Sequence, residues 1–111
     1  MASQRLQECD ELYQQSRYYE AAHKFEYMLQ DTTVYDENPL VMHNLAHCYY
    51  MLNEFDTATH YFEQAGKLYL EFDCADEEAM QRTFFMLGMT HKENNKYSFA
   101  VDAFKRAKLY G

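Results

Sequence analysis

Apolar and small residues recur every three or four positions along most of this chain, which is the period of amphipathic α-helices. The stretch from Met42 to Ala65 shows the pattern best, because two such segments flank the short polar turn Asn53-Glu54. Ala46 and Ala58 fall on the facing stripes of the two segments, and small residues there let two helices approach closely. The stretch is therefore predicted to be an antiparallel helical hairpin.

The same pattern extends over the rest of the chain and predicts six helices in three hairpins. Pro39 suits the first position of the third helix, where the N–H that it lacks would have no partner. Asn38 precedes it as a predicted cap. Ser16, Asn53 and Asp76 are predicted to cap the N-termini of the second, fourth and fifth helices.

The three hairpins align with one another. The second helix of each carries an aromatic residue, then an alanine, then a phenylalanine: Tyr18, Ala21 and Phe25; Phe55, Ala58 and Phe62; Tyr97, Ala100 and Phe104. The first helices of the later hairpins share Leu45-Ala46 and Leu87-Gly88. With these residues the chain resembles the tetratricopeptide-repeat (TPR) family. The resemblance implies an all-α, right-handed α-solenoid of three helix-turn-helix repeats in one domain, over about 3–31, 39–72 and 76–110.

The repeats are longer than is usual for that family. Ala21, Ala58 and Ala100 are 37 and 42 positions apart, whereas the family's period is about 34. The larger excess of about eight residues equals about two helical turns. Helices lengthened around Gly66 to Met80 are therefore predicted, rather than a long loop.

The first helices of such repeats line a concave groove, where binding surfaces of solenoids lie. The resemblance places aromatic, methionine, histidine and amide side chains there, a mixture that suits the binding of an extended segment or a helix. If a neighbouring helix filled the groove, the same residues would be core. The predicted partner-binding residues are Tyr13, Leu40, His43, Asn44, His47, Tyr50, Met51, Arg82, Phe85, Met86 and Met89.

Charge is unevenly distributed along the chain, whose formal net charge is −8. Up to His91 there are sixteen acidic and five basic residues, and from Lys92 onward two acidic and five basic residues. Such a surface repels nucleic acid and anionic membranes. A protein or peptide partner, basic or amphipathic, is predicted instead; acidity that serves only solubility is the alternative.

The cellular setting follows from what the sequence lacks. There is no apolar run of the length that spans a bilayer, and no apolar signal segment follows Met1. Cys9, Cys48 and Cys74 are an odd number at wide spacing, which argues against a disulfide framework. We therefore predict a cytoplasmic protein that does not insert into membranes, and no motif for a cofactor is present.

One alternative of a different class is a metal-binding or enzymatic protein centred on His43, His47 and Cys48. The two histidines share one helical face and could hold a metal if a third ligand, such as Asp10, were near. Adjacent residues such as His47 and Cys48 point about 100° apart on a helix, which does not favour a nucleophile and its base. We predict that the protein is not an enzyme and binds no metal, and that the groove histidines titrate near their ordinary pKa of about 6.5.

Two variants of the binding function remain open, a small chaperone and a signalling-peptide receptor domain. In TPR domains that clamp the C-terminal carboxylate of heat-shock proteins, the first repeat supplies Lys and Asn. Leu6 and Asp10 take those places here, so that clamp is not expected.

The last predicted helix has no helix after it to cover its apolar edge. Phe99, Val101, Phe104 and Tyr110 are the candidates for this edge. The basic Lys105, Arg106 and Lys108 lie among them, and Glu8, Asp10 and Glu11 of the first helix are acidic. Either the chain is part of a longer repeat array, or another molecule covers this edge. For the second case the hypothesis is self-association, head-to-tail or symmetric, as a homo-oligomer through the uncapped C-terminal helix.

Overall fold

The structure, a computed structural model, describes residues 2–30, 39–71 and 76–110 and is all-α over these residues. Within these ranges the chain forms helices and turns but no strand, which confirms the prediction of six helices in three hairpins. The helices are α1 (Ala2–Gln14), α2 (Tyr18–Gln30), α3 (Pro39–Met51), α4 (Phe55–Glu71), α5 (Glu77–Glu93) and α6 (Tyr97–Leu109).

Each helix packs mainly against its neighbours in the chain, from α1 and α2 to α5 and α6, and α3 also contacts α5. This sequential stacking is the arrangement of an α-solenoid. The first helices of the three hairpins, α1, α3 and α5, carry the predicted groove residues. None of the helices in the described ranges is long and apolar enough to cross a membrane.

The three hairpin turns have one common geometry. Ser16, Asn53 and Asn95 adopt the left-handed conformation, with φ of 61°, 63° and 61°. In the first turn the N–H of Arg17 donates to the carbonyl of Leu12, and that of Ser16 donates to Tyr13. The other two turns repeat this pair of hydrogen bonds, which defines the Schellman motif at a helix C-terminus.

The turn geometry corrects two predicted caps. Ser16 and Asn53 end the preceding helix instead of capping the next one. The residue after each, Arg17 or Glu54, stands before the following helix, and its carbonyl accepts the first hydrogen bond of that helix. Serine and asparagine were misassigned because both suit an N-cap, and asparagine also tolerates the left-handed region.

The other predicted helix ends agree with the structure where it describes them. Pro39 is the first residue of α3. The Asp76 carboxylate accepts a hydrogen bond of 3.0 Å from the N–H of Ala79 and caps α5. The predicted cap Asn38 lies outside the described residues.

The predicted lengthening is confirmed in α4 and α5. Each has 17 residues, whereas each of the other helices has 13. The additional turns lie at the C-terminal end of α4 and the N-terminal end of α5. They extend the contact between the second and third repeats.

Two apolar clusters form most of the core. The first joins α1, α2 and α3 around the fully buried Phe25 and Leu45, and the second joins α3 to α6 around Phe62 and Leu87. Close helix approach depends on small residues: a Cβ on Gly88 would lie 2.6 Å from the Phe104 ring. Ala46, at the matching position of the second repeat, is fully buried.

The predicted C-terminal edge is divided between exposed and packed residues. Phe99 and Val101 are exposed. Phe104 is half-buried with its ring 5.6 Å from that of Phe85, and Tyr110 stacks on Phe84 at 5.8 Å. Because Phe104 and Tyr110 support the third hairpin, only part of the predicted edge is open.

Candidate functional site

The predicted groove residues lie at the surface of α1, α3 and α5 and are not sealed into the core. Leu40, Met51 and Phe85 are 52%, 46% and 49% exposed, so no helix of the described residues covers these three side chains. Arg82 is also exposed. The others are half-buried: Tyr13, His43, Asn44, His47, Tyr50, Met86 and Met89.

An aromatic cluster joins the first two repeats at one end of this surface. The Tyr13 hydroxyl and His47 Nδ1 form a hydrogen bond of 2.7 Å between α1 and α3. Tyr18 packs edge-on against both rings, and Tyr50 stacks on His47 with ring centroids 6.2 Å apart. Burial raises the pKa of Tyr13 to about 12 and lowers that of His47. At neutral pH the cluster is therefore uncharged.

A second hydrogen bond joins the second and third repeats. His43 Nδ1 and the hydroxyl of the fully buried Thr83 are 2.9 Å apart, and the His43 ring packs edge-on against Phe62. Burial, with smaller effects from His47 and Arg82, lowers the pKa of His43 to about 4. The prediction that the groove histidines titrate near pH 6.5 is therefore wrong, because burial disfavours their charged forms.

Between these two hydrogen bonds lies a cavity of about 310 Å³. Tyr13, Leu40, His43, Asn44 and Arg82 line it, and all five were predicted as groove residues. Its remaining lining residues are Tyr69 and Ala79. The Arg82 guanidinium is 3.6 Å from the Glu78 carboxylate, and both side chains are largely exposed.

Three residues of this site were missed by the sequence reasoning. Tyr69 and Ala79 reach the cavity because α4 and α5 are lengthened. Both lie far in the sequence from the predicted groove residues of α3, so the sequence pattern did not indicate that they belong to the site. Thr83 had a signal that was overlooked. It is a polar residue between Met80 and Leu87 on the buried stripe of α5, and such a residue requires a hydrogen-bond partner.

The other predicted residues lie outside this cavity. Phe85 packs on Phe104, and Met86 packs at the edge of the second core cluster. Tyr50 contacts His47 and Phe55 at the C-terminal end of α3. Met51 and Met89 do not line the cavity either. The structure thus gathers five of the predicted residues in one depression and spreads six along the adjoining surface.

The alternative centre at His43, His47 and Cys48 has little geometric support. Cys48 is fully buried in the first core cluster, and burial raises the pKa of its thiol to about 12. A thiol with that pKa is protonated at neutral pH and is a poor nucleophile. Across the described residues, no group of three or more His, Cys, Asp or Glu side chains is arranged to hold a metal ion.

Comparison with known proteins identifies the fold. No family model and no curated protein matches this sequence. The chain is similar in structure to the N-terminal domain of stress-induced protein-1 (STI-1) from C. elegans, with a TM-score of 0.84 and 19% sequence identity. The match covers 98% of this chain and 83% of that one. At this level of identity, the likeness concerns the fold.

Proposed function

We propose that this chain, which has the fold of a TPR domain, is a non-catalytic protein-interaction module that holds a peptide or helix of a partner protein in its concave groove. The groove is formed by α1, α3 and α5. The proposed contact residues are those that line the cavity near His43 and the exposed apolar residues beside it, with Phe85 foremost.

The observation that carries the proposal is the cavity of about 310 Å³ between the three repeats. Its walls combine the apolar Leu40 with the amide of Asn44 and the guanidinium of Arg82. Binding sites commonly combine an apolar lining with a few polar groups that fix orientation. Two of its lining residues, Tyr13 and His43, make hydrogen bonds to His47 and Thr83 on neighbouring helices.

The chemistry of the surface favours one class of partner. Exposed Leu40, Phe85 and Met51 would bind apolar side chains, whereas the chain as a whole carries a formal net charge of −8. An amphipathic segment with apolar anchors and basic flanks satisfies both features. The groove's own positive charge, Arg82, would then contact the backbone or an acidic group of that segment.

A peptide-library selection followed by affinity measurement tests the groove. Peptides selected on the wild-type protein are labelled, and their dissociation constants are measured by fluorescence polarisation. Phe85→Ala and the double variant Asn44→Ala/Arg82→Ala should each weaken binding at least about tenfold, the scale of a hot-spot loss. The matched control is Phe99→Ala, since Phe99 is a similarly exposed phenylalanine on α6.

Two results would contradict the proposal: equal affinity for the groove variants and the wild type, or loss of binding in Phe99→Ala alone. The selected sequences also separate the two variants of the function. A single short consensus would favour a signalling-peptide receptor. Diverse apolar helical sequences of similar affinity would favour a small chaperone.

Self-association is a second part of the proposal. The exposed side chains of α6 include Tyr97, Val101 and Leu109, and the basic Lys105 and Lys108 lie among them. An apolar surface rimmed by charge is typical of protein interfaces. A second copy could offer the acidic residues of α1 to this surface.

A further inference from the structure

A separate cavity of about 270 Å³ lies between α2 and the turn that joins α3 to α4. It shares no residue with the groove. Aromatic and apolar side chains form most of its wall, and one carboxylate stands at its edge. The lining residues are Tyr19, Ala22, His23, Tyr49, Leu52 and Glu54.

The aromatic walls of this cavity are held by local packing. Tyr19 and His23 are one helical turn apart on α2, with their rings edge-on at 4.5 Å. The Tyr49 ring stacks on Tyr61 at 5.9 Å with an interplanar angle of 11°. That stacking covers one face of Tyr49 and fixes its orientation. Buried Ala22 leaves space between the rings because its side chain is small.

The carboxylate of Glu54 has no ion pair among the described residues. Its position follows from the turn, because Asn53 in the left-handed conformation directs the chain into α4. Two basic side chains near Tyr19 and His23 in the sequence, one in the turn before α2 and one on α2, form ion pairs with other residues. Arg17 pairs with Glu20 at 2.6 Å, and Lys24 pairs with Glu8 at 3.2 Å. The cavity therefore joins aromatic rings to an exposed carboxylate that has no ion pair among the described residues.

We propose that this cavity binds an arginine side chain of a partner protein. Tyrosine rings attract a cation over their faces. A guanidinium is planar, so it can stack on a ring while its N–H groups donate to a carboxylate such as Glu54. An ammonium group lacks the planar surface, and an apolar side chain would make no charge-assisted hydrogen bond with Glu54. The site does not depend on the groove and adds a second, charge-selective contact to this chain.

Two short peptides that differ only in charge test the assignment. The probe is N-acetyl-Gly-Arg-Gly-amide, and the control peptide contains citrulline, which has the shape of arginine without its charge. NMR titration of the full chain should show saturable shifts at Tyr19 and Tyr49 with the arginine peptide. A dissociation constant in the millimolar range is expected for one side chain. Citrulline should bind at least about fivefold more weakly.

Variants then assign the contacts. Glu54→Gln and Tyr19→Ala should each weaken binding of the arginine peptide at least about fivefold. Tyr27→Ala is the matched control, because Tyr27 lies two turns further along α2 and is 65% exposed, against 66% for Tyr19. It should leave the affinity unchanged. Equal binding of arginine and citrulline, equal effects of Tyr19→Ala and Tyr27→Ala, or no saturable shift at Tyr19 and Tyr49 would each overturn the proposal.

Discussion

The burial of His43 makes stability depend on pH at the scale of one residue. The pKa of His43 is lowered to about 4 in the fold, against 6.5 for a free histidine. Between pH 6.5 and pH 4, His43 is protonated in the unfolded chain but stays neutral in the folded chain. The free energy of unfolding should therefore fall as the pH drops from 6.5 toward 4, by up to about 3 kcal/mol from this group.

Urea denaturation of the wild type and of His43→Gln at several pH values measures how much His43 contributes to the pH dependence of the free energy of unfolding. His43→Gln keeps a polar group toward Thr83 but cannot titrate, so its stability should depend less on pH over this interval. The exposed His60 supplies the control, since His60→Gln should retain the wild-type slope. Parallel curves for wild type and His43→Gln would refute the assignment.

His91 carries a polar atom without a partner. Its Nδ1 is buried and has no hydrogen bond among the described residues, and its ring packs 5.5 Å from Phe99. An unpaired buried polar group costs about 1–3 kcal/mol. His91→Phe should therefore raise the free energy of unfolding by about 1 kcal/mol, measured as a higher urea midpoint. A lower midpoint would mean that the imidazole makes a favourable contact that phenylalanine cannot.

At the scale of the element, the first hairpin turn contains a serine in a backbone conformation that favours glycine. Ser16 adopts φ of 61° in the first turn, a conformation that costs a residue with a Cβ about 1–2 kcal/mol. Ser16→Gly should raise the thermal midpoint and add about 1 kcal/mol of stability, because glycine enters this region freely. Ser16→Ala, which keeps the Cβ, should give no gain. A gain of similar size in both variants would exclude backbone strain as the cause.

The same turns show what local sequence could and could not decide. The positions of the hairpins followed from apolar spacing, and the predicted turn at Asn53-Glu54 is confirmed. The role of each turn residue did not follow, because serine and asparagine also serve as N-caps. Whether such a residue caps the next helix or ends the preceding one depends on which carbonyl accepts from the N–H of the residue after it. In the second turn the N–H of Glu54 donates to the carbonyl of Tyr49, a contact that only the folded structure shows.

The contact of Gly88 with Phe104 sets the spacing of α5 and α6. A Cβ on Gly88 would lie 2.6 Å from the Phe104 ring, so Gly88→Ala must separate the two helices. We expect a loss of about 1–3 kcal/mol in unfolding free energy, despite the higher helix propensity of alanine. Adding Phe104→Leu should remove the clash. The double variant should therefore lose less unfolding free energy than the sum of the losses in the two single variants. Strict additivity would show that the two residues do not interact.

At the scale of the whole molecule, the groove was predictable as a surface but not as a cavity. The repeat pattern identified the face of each first helix, and Leu40, His43 and Asn44 do line the cavity. It could not show that Tyr69 and Ala79 complete the wall, since this depends on how two lengthened helices overlap. The cavity beside Glu54 was missed for a similar reason. Its residues come from two repeats and follow no single helical stripe.

Charge separation along the chain leads to a prediction about assembly. The exposed basic side chains of α6 include Lys105 and Lys108, and α1 exposes the acidic Glu8 and Glu11. A head-to-tail contact between these unlike surfaces forms a ring if its rotation closes and an open row of copies if it does not, and we expect the open row. Sedimentation should show a mass that rises with protein concentration without a plateau. The rise should be smaller at about 0.5 M salt than at about 0.05 M, because salt screens exposed charges.

Charge reversal distinguishes this contact from apolar association. Lys105→Glu/Lys108→Glu should reduce the rise in mass, and so should Glu8→Lys/Glu11→Lys. In an equimolar mixture of the two variants, the acidic α6 of one variant meets the basic α1 of the other. The mixture should therefore associate more strongly than either variant alone. A monomer at every concentration would refute self-association. Association that survives both reversals would show that the apolar residues of α6, Val101 among them, meet another surface.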